Sequence, residues 1–161
     1  MKKLSKAKSR SQSGANLKIN VSDLIGKSPG ISGTVEISQN IPSPDPDNIK
    51  NEPEILGKVT FTKLESSILG SFDLKNQVAL LCSRCLKEFK LPIHLKYEQE
   101  FSYADTKQKN PDLLYTISEN NLDILPSINQ EILLTIPLKP LCKKSCQGLK
   151  ILEAKKEASN G

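Results

Sequence analysis

The chain has 161 residues, 23 Lys and Arg against 18 Asp and Glu, 37% hydrophobic residues, 4% aromatics and no Trp. That length fits a single domain with some tail, and so few aromatics mean a core built from Ile, Leu and Val. No apolar run approaches bilayer thickness, and residues 1–22 hold no apolar stretch that could serve as a secretory h-region, so neither a membrane span nor secretion is expected. The same segment is rich in Ser, Lys and Arg without acids, as organelle transit peptides are. However, Leu4, Ala7, Ala15 and Leu17 are too few to form an apolar helical face. A cytosolic setting follows, in which cysteines are free thiols or metal ligands sooner than disulfides.

Charge is unevenly placed. Residues 1–22 carry six Lys/Arg and no acid, residues 139–161 carry a net +4, and the stretch between holds −5 of the chain total of +5. Basic ends around an acidic body suit a polyanionic partner touched by the termini, with Lys2, Lys3, Lys6, Lys8, Arg10, Lys143 and Lys144 as candidate nucleic-acid contacts. Lysine-rich tails that merely solvate the chain account for the same composition.

In chain order, residues 1–16 are polar and aperiodic, and a disordered basic tail is expected there. Leu17, Ile19 and Val21 alternate as a short strand, and Gly26, Pro29 and Gly30 then turn the chain. Ile31, Gly33, Val35 and Ile37 alternate again before the loop Pro42 to Asp47, whose prolines exclude a helix or strand interior. Ile55, Gly57, Val59 and Phe61 give a further strand. Turning at Glu65-Ser66-Ser67, the chain enters a long strand in which Ile68, Gly70, Phe72, Leu74, Val78, Leu80 and Cys82 share one face. A second long strand follows, with Phe89, Leu91, Ile93, Leu95, Tyr97, Phe101 and Tyr103 on one face and Lys90, His94, Lys96, Glu98 and Glu100 on the other. Pro92 within it lacks a ladder donor, which favours an edge or a bulge. A polar loop from Ala104 to Asp112 precedes one more strand at Leu113 to Ile117.

The first helix is expected near residues 127–136: Ser127 with Gln130 fits a capping box, Ile128, Ile132, Leu133 and Ile136 keep one face apolar, and Pro137 ends it. Residues 17–149 thus form one domain, and 150–161 a charged C-terminal tail with the capacity for a frayed helix. The expected fold is α+β, a strongly bent, mainly antiparallel sheet of about five or six strands with one main C-terminal helix.

Cys82-x-x-Cys85 falls between the two long strands, most simply at the end of a hairpin, and Cys142-x-x-x-Cys146 follows the helix. If the helix packs on the sheet, the second pair is carried back toward the first. Two close pairs brought together by a fold are what a four-thiolate zinc site needs, and Lys87, Lys143 and Lys144 would offset its negative charge. Two unrelated pairs of reduced, partly buried cysteines fit the sequence as well. A redox reading of Cys82-Ser83-Arg84-Cys85 requires a helix to start at the pair, where its dipole lowers the thiol pKa; a hairpin disfavours it. His94 lies on the polar face of its strand, consistent with an exposed structural role, and no phosphate loop or catalytic dyad is apparent. Tyr97, Phe101 and Tyr103 lie on the parity opposite the lysines, which points to core packing over base stacking.

Cys82-Ser83-Arg84-Cys85-Leu86 after a long strand, Glu131-Ile132-Leu133-Leu134 closing on Pro137, then Lys139-Pro140-Leu141-Cys142 and Cys146-Gln147-Gly148-Leu149 together resemble the YceD-type family of large ribosomal RNA subunit accumulation proteins. The resemblance runs from about Leu17 to Leu149 in the order of its elements. It implies a non-enzymatic factor for synthesis, processing or stability of large-subunit ribosomal RNA, cytoplasmic in a bacterium or plastid in a eukaryote. The expected partners are ribosomal RNA or a ribosome-assembly protein, with no small-molecule substrate; the composition points to no membrane, and the cysteine spacing leaves zinc as the one candidate cofactor. Similar proteins commonly continue past the Gly-Leu with another cysteine, whereas Leu149 is followed here by Lys150-Ile151-Leu152 and no further cysteine. A zinc-stapled protein-binding adaptor and a thiol-redox enzyme using Cys82 and Cys85 are the alternative functions.

Overall fold

The computed structural model describes residues 17–103 and 115–149. The expectations for the two tails and for the loop from Ala104 to Asp112 lie outside them. The strands are β1 (Lys18–Asn20), β2 (Ser32–Asn40), β3 (Glu54–Lys63), β4 (Ser67–Leu81), β5 (Glu88–Tyr103), β6 (Thr116–Ser118) and β7 (Asn121–Asp123); the helices are α1 (Ser22–Ile25) and α2 (Leu125–Thr135). All seven strands form one sheet in the order β1-β7-β6-β5-β4-β3-β2.

The expected α+β sheet of five or six antiparallel strands is therefore corrected. Among the described residues 49% are strand and 12% helix, and the sheet is a curled, mixed half-barrel. Every strand pair is antiparallel except β5–β6, where Ser102 and Tyr103 run parallel to Thr116 and Ile117. Residues Asn121–Asp123 make the unexpected strand, since three residues are too few to display a period. Glu119 and Asn120, with φ of 49° and 62°, form the two-residue turn that folds β7 back on β6. The helical turn α1 also replaces part of the expected turn after β1.

The long strands follow their sequence parity. Ile68, Phe72, Leu74, Val78 and Leu80 of β4 and Ile93, Leu95 and Phe101 of β5 are buried. Phe72 stacks on Tyr97 with centroids 4.4 Å apart, and the rings of Phe61, Phe72 and Phe101 close over Gly70, where an added Cβ would lie 2.9 Å from Phe72. Gly57 in β3 has φ +149°, and a Cβ there would sit 2.2 Å from the carbonyl oxygen of Asp73, so only glycine fits this close strand approach. On the opposite face, Glu36, Lys58, Asp73 and Lys96 stand in register across four strands, and His94 Nε2 lies 2.7 Å from Asp73 Oδ1. Pro92 pairs with Gln77 of β4, while β6 reaches only Ser102 and Tyr103, so Pro92 occupies an open edge of β5.

Helix α2 covers the apolar face through fully buried Ile128 and Ile132, whereas Leu133 is 45% exposed. The expected capping box is absent. The N-cap is Ile124, Asp123 Oδ1 accepts from the Leu125 N–H at 3.1 Å, and Ser127 is buried one turn inside, donating to Tyr97 OH at 3.0 Å. The capping pattern had a different cause: the serine serves tertiary packing. Ile136 is extended, as the residue before Pro137 must be, and the helix ends there.

Candidate metal centre

The turn between β4 and β5 is built from the cysteine motif itself. Its base closes through Cys82 N–H to Lys87 O and Leu86 N–H to Cys82 O, both 2.9 Å. Leu86 takes φ +58°, which reverses the chain after Cys85. No helix starts at Cys82 or Cys85, so the dipole that a thioredoxin-type pair uses is missing there. The C-terminal segment is laced onto this turn. Ser83 N–H donates to Pro140 O at 2.8 Å, Arg84 Nη1 to Cys146 O at 2.8 Å, and Leu149 N–H to Arg84 O at 3.0 Å. Gly148 takes φ +89°, a conformation that favours glycine, and an added Cβ would meet Arg84 O at an ordinary contact distance of 3.4 Å.

These bonds bring the four thiols together. The sulfurs of Cys82 and Cys146 are 3.7 Å apart, those of Cys85 and Cys142 are 3.7 Å apart, and all four lie within 4.8 Å of one another. None is in a disulfide. Cys82 and Cys146 are buried, and Cys85 and Cys142 partly so. A tetrahedral ion with sulfur ligands at ~2.3 Å sets sulfur–sulfur edges of about 3.8 Å, so the set fits a metal with little adjustment. Backbone N–H groups of Cys142 and then Cys85 draw the Cys82 thiol down to about 6, while burial, then the neighbouring thiols, push Cys142 up to about 12.

The remaining motif residues surround this knuckle or lead to it. Lys139, Lys143 and Lys144 are exposed, Glu131 is half-buried in α2, Pro137 follows the helix exposed, and Leu86 and Leu149 are 60% and 56% exposed. Lys2, Lys3, Lys6, Lys8 and Arg10 lie outside the described residues. One contributor carries no signal in the sequence: Asn51 brackets the end of β4, accepting from Ala79 N–H at 2.7 Å and donating to Gln77 O at 3.0 Å. Pro140 of the sequence motif anchors the returning segment through its carbonyl.

Residues 70–160, which include all four cysteines, match the model of the family described as Large ribosomal RNA subunit accumulation protein YceD. The chain belongs to the YceD family. The matched region starts inside β4 and leaves β1 to β3 outside it. The chain is also similar to the Uncharacterized protein YlbN of Bacillus subtilis (strain 168), at 28% identity over 72 residues, 45% of this chain and 42% of that relative. It thus spans less than half of the length of that relative. No solved structure matches. Among the described residues, no helix is long and apolar enough to cross a membrane.

Proposed function

We propose that this chain is a cytoplasmic, non-enzymatic factor that supports synthesis, processing or stability of large-subunit ribosomal RNA, with zinc as a structural staple. The observation that carries this reading is the convergence of Cys82, Cys85, Cys142 and Cys146 inside the region that matches the YceD family. Zinc held by four thiolates has no open position for substrate, so its contribution is folding energy, not catalysis. Cys82 and Cys85 would hold the ion from the hairpin, Cys142 and Cys146 from the returning segment, and Arg84 would position Cys146 through its carbonyl. Exposed Lys139, Lys143 and Lys144, together with the basic residues 1–16, supply cationic groups for ribosomal RNA or an assembly protein.

A purified preparation should contain about one zinc per chain. Crosslinking pulldown from cells should recover large-subunit precursor RNA or assembly factors, with binding that weakens steeply as salt rises. Recovery of neither, with normal ribosomal RNA in cells lacking the protein, would sink the ribosomal reading. A zinc-stapled adaptor for another protein is the second reading, favoured by the exposed Leu86, Leu138 and Leu149 around the knuckle.

A further inference from the structure

Next to the knuckle the surface changes character. After α2 ends at Thr135, residues 136–140 arch back toward the hairpin, where Pro140 receives the Ser83 N–H. A cleft of about 250 Å³ opens between this arch, the end of β4 and the loop carrying Asp45 to Ile49. Ile49 and Leu80 form its buried floor. Its walls are Leu81 and Leu133, 41% and 45% exposed, and Leu138, which is fully exposed. Leu134, beside Leu133 in the sequence, is 70% exposed. Pro137 and Pro140 restrict the arch on either side of Leu138, which limits its freedom to fold back onto the core. Single surface leucines are ordinary; several gathered around one cleft mark a contact site.

The polar part of the lining is one-sided. Among the described residues that line the cleft, Asp45 and Asp47 are acidic and none is Lys or Arg, although the chain as a whole has a net charge of +5. Two cations stand close by without joining the lining. Lys139 is exposed on the arch. Lys50 donates from Nζ to the Asp47 carbonyl oxygen, leaving the Asp47 carboxylate without a lysine bonded to it among the described residues. The acidic lip is held in place. Ile49 N–H donates to Asp45 O at 2.7 Å, Asn48 Nδ2 to Asp45 Oδ2 at 2.5 Å, and Lys50 N–H to Ala79 O of β4 at 2.8 Å. A phosphodiester backbone arriving here would meet carboxylates and a leucine wall. An apolar peptide with a neighbouring cation would find both its needs met.

We propose that this cleft docks a segment of another protein that carries apolar side chains flanked by lysine or arginine. The proposal rests on the ribosomal reading only for the setting in which that partner is met, since the chemistry of the cleft stands without it. The probes are short synthetic peptides that share one pair of leucines and differ only in carrying Lys, Ser or Glu at the flanking positions, plus oligouridine, titrated by fluorescence anisotropy against the full chain. Lysine peptides should bind at least about tenfold more tightly than glutamate peptides. Leu138→Asp, at a fully exposed side chain, should leave the circular dichroism unchanged and weaken binding about tenfold. The double change Asp45→Lys with Asp47→Lys should reverse the charge preference. No binding by any peptide, equal binding of lysine and glutamate peptides, indifference to Leu138→Asp, or oligouridine competing for the cleft would each overturn the proposal. In cells lacking the protein, a ribosomal RNA deficit rescued in full by Leu138→Asp would also overturn it while leaving the ribosomal reading intact.

Discussion

The β3–β4–β5 sheet and the cysteine knuckle at its tip are held together by different physics. In the sheet, long alternating strands bury Ile, Leu, Val and Phe on one face, and α2 closes over them with Ile128 and Ile132. Apolar area removed from water is the main stabilising term there. The knuckle has Leu86, Leu138 and Leu149 turned outward, and is joined by three hydrogen bonds and four convergent sulfurs. Its cohesion is directional and local, and the proposed zinc would supply most of it. One chain can therefore hold a rigid scaffold beside a feature whose order is set by a ligand.

The contrast is tested first where it should be greatest. Ile132→Asp puts a carboxylate between helix and sheet and should cost about 3 kcal/mol or more, read as a lower urea midpoint. Near-normal stability would mean that α2 does not support the sheet. Gly57→Ala should cost about 2–3 kcal/mol, because the clash is with the Asp73 backbone, which cannot move without parting β3 from β4. A strong chelator should leave the strand signal in circular dichroism largely intact. Amide exchange at Ser83, Leu86 and Leu149 should meanwhile speed up sharply. Loss of the sheet along with the knuckle would show that the two regions are a single cooperative unit.

Smaller effects sharpen the picture. Burial raises the Tyr97 hydroxyl above its ordinary value of 10.0, so the folded chain resists an ionisation that the unfolded chain undergoes freely. Stability is thus unaffected below pH 10 and declines above it, by about 1 kcal/mol at pH 11. Ultraviolet titration of tyrosinate in folded and urea-unfolded protein measures this, and coincident curves would contradict it. Gly148→Ala should cost only about 1 kcal/mol, since its φ is unfavourable but the Arg84 oxygen is at ordinary contact distance. That loss should vanish when the knuckle is already loosened by chelation, whereas the Gly57→Ala loss should persist.

Much of this was legible in the sequence where patterns were long. The alternation through β4 and β5 located both strands and their buried faces, and two close cysteine pairs flanking a helix pointed to the cluster that forms. The misses have physical causes. Asn121–Asp123 is shorter than any readable period, and the parallel pairing of β5 with β6 depends on a path that local pattern does not encode. Ser127 carried a capping pattern, yet its hydroxyl is committed to Tyr97. The contacts Ser83–Pro140 and Leu149–Arg84 run through backbone atoms and so leave no trace in residue identity. The cleft beside Leu138 was invisible for another reason: leucine in a sequence reads as core, and only the proline-bounded arch turns it outward.

The spacing of the cysteines along the chain has a consequence for how the protein is made. Cys142 follows Cys85 by 57 residues, and Cys146 follows Cys82 by 64. During synthesis the hairpin thiols leave the ribosome first and wait as an open pair. Their partners arrive only after α2 has been made, and closing so long a loop carries an entropy cost that helix docking largely covers in advance. Metal capture would then report that α2 is seated. A substitution in the helix interior, far from any sulfur, should appear in a translating chain as delayed uptake of the ion.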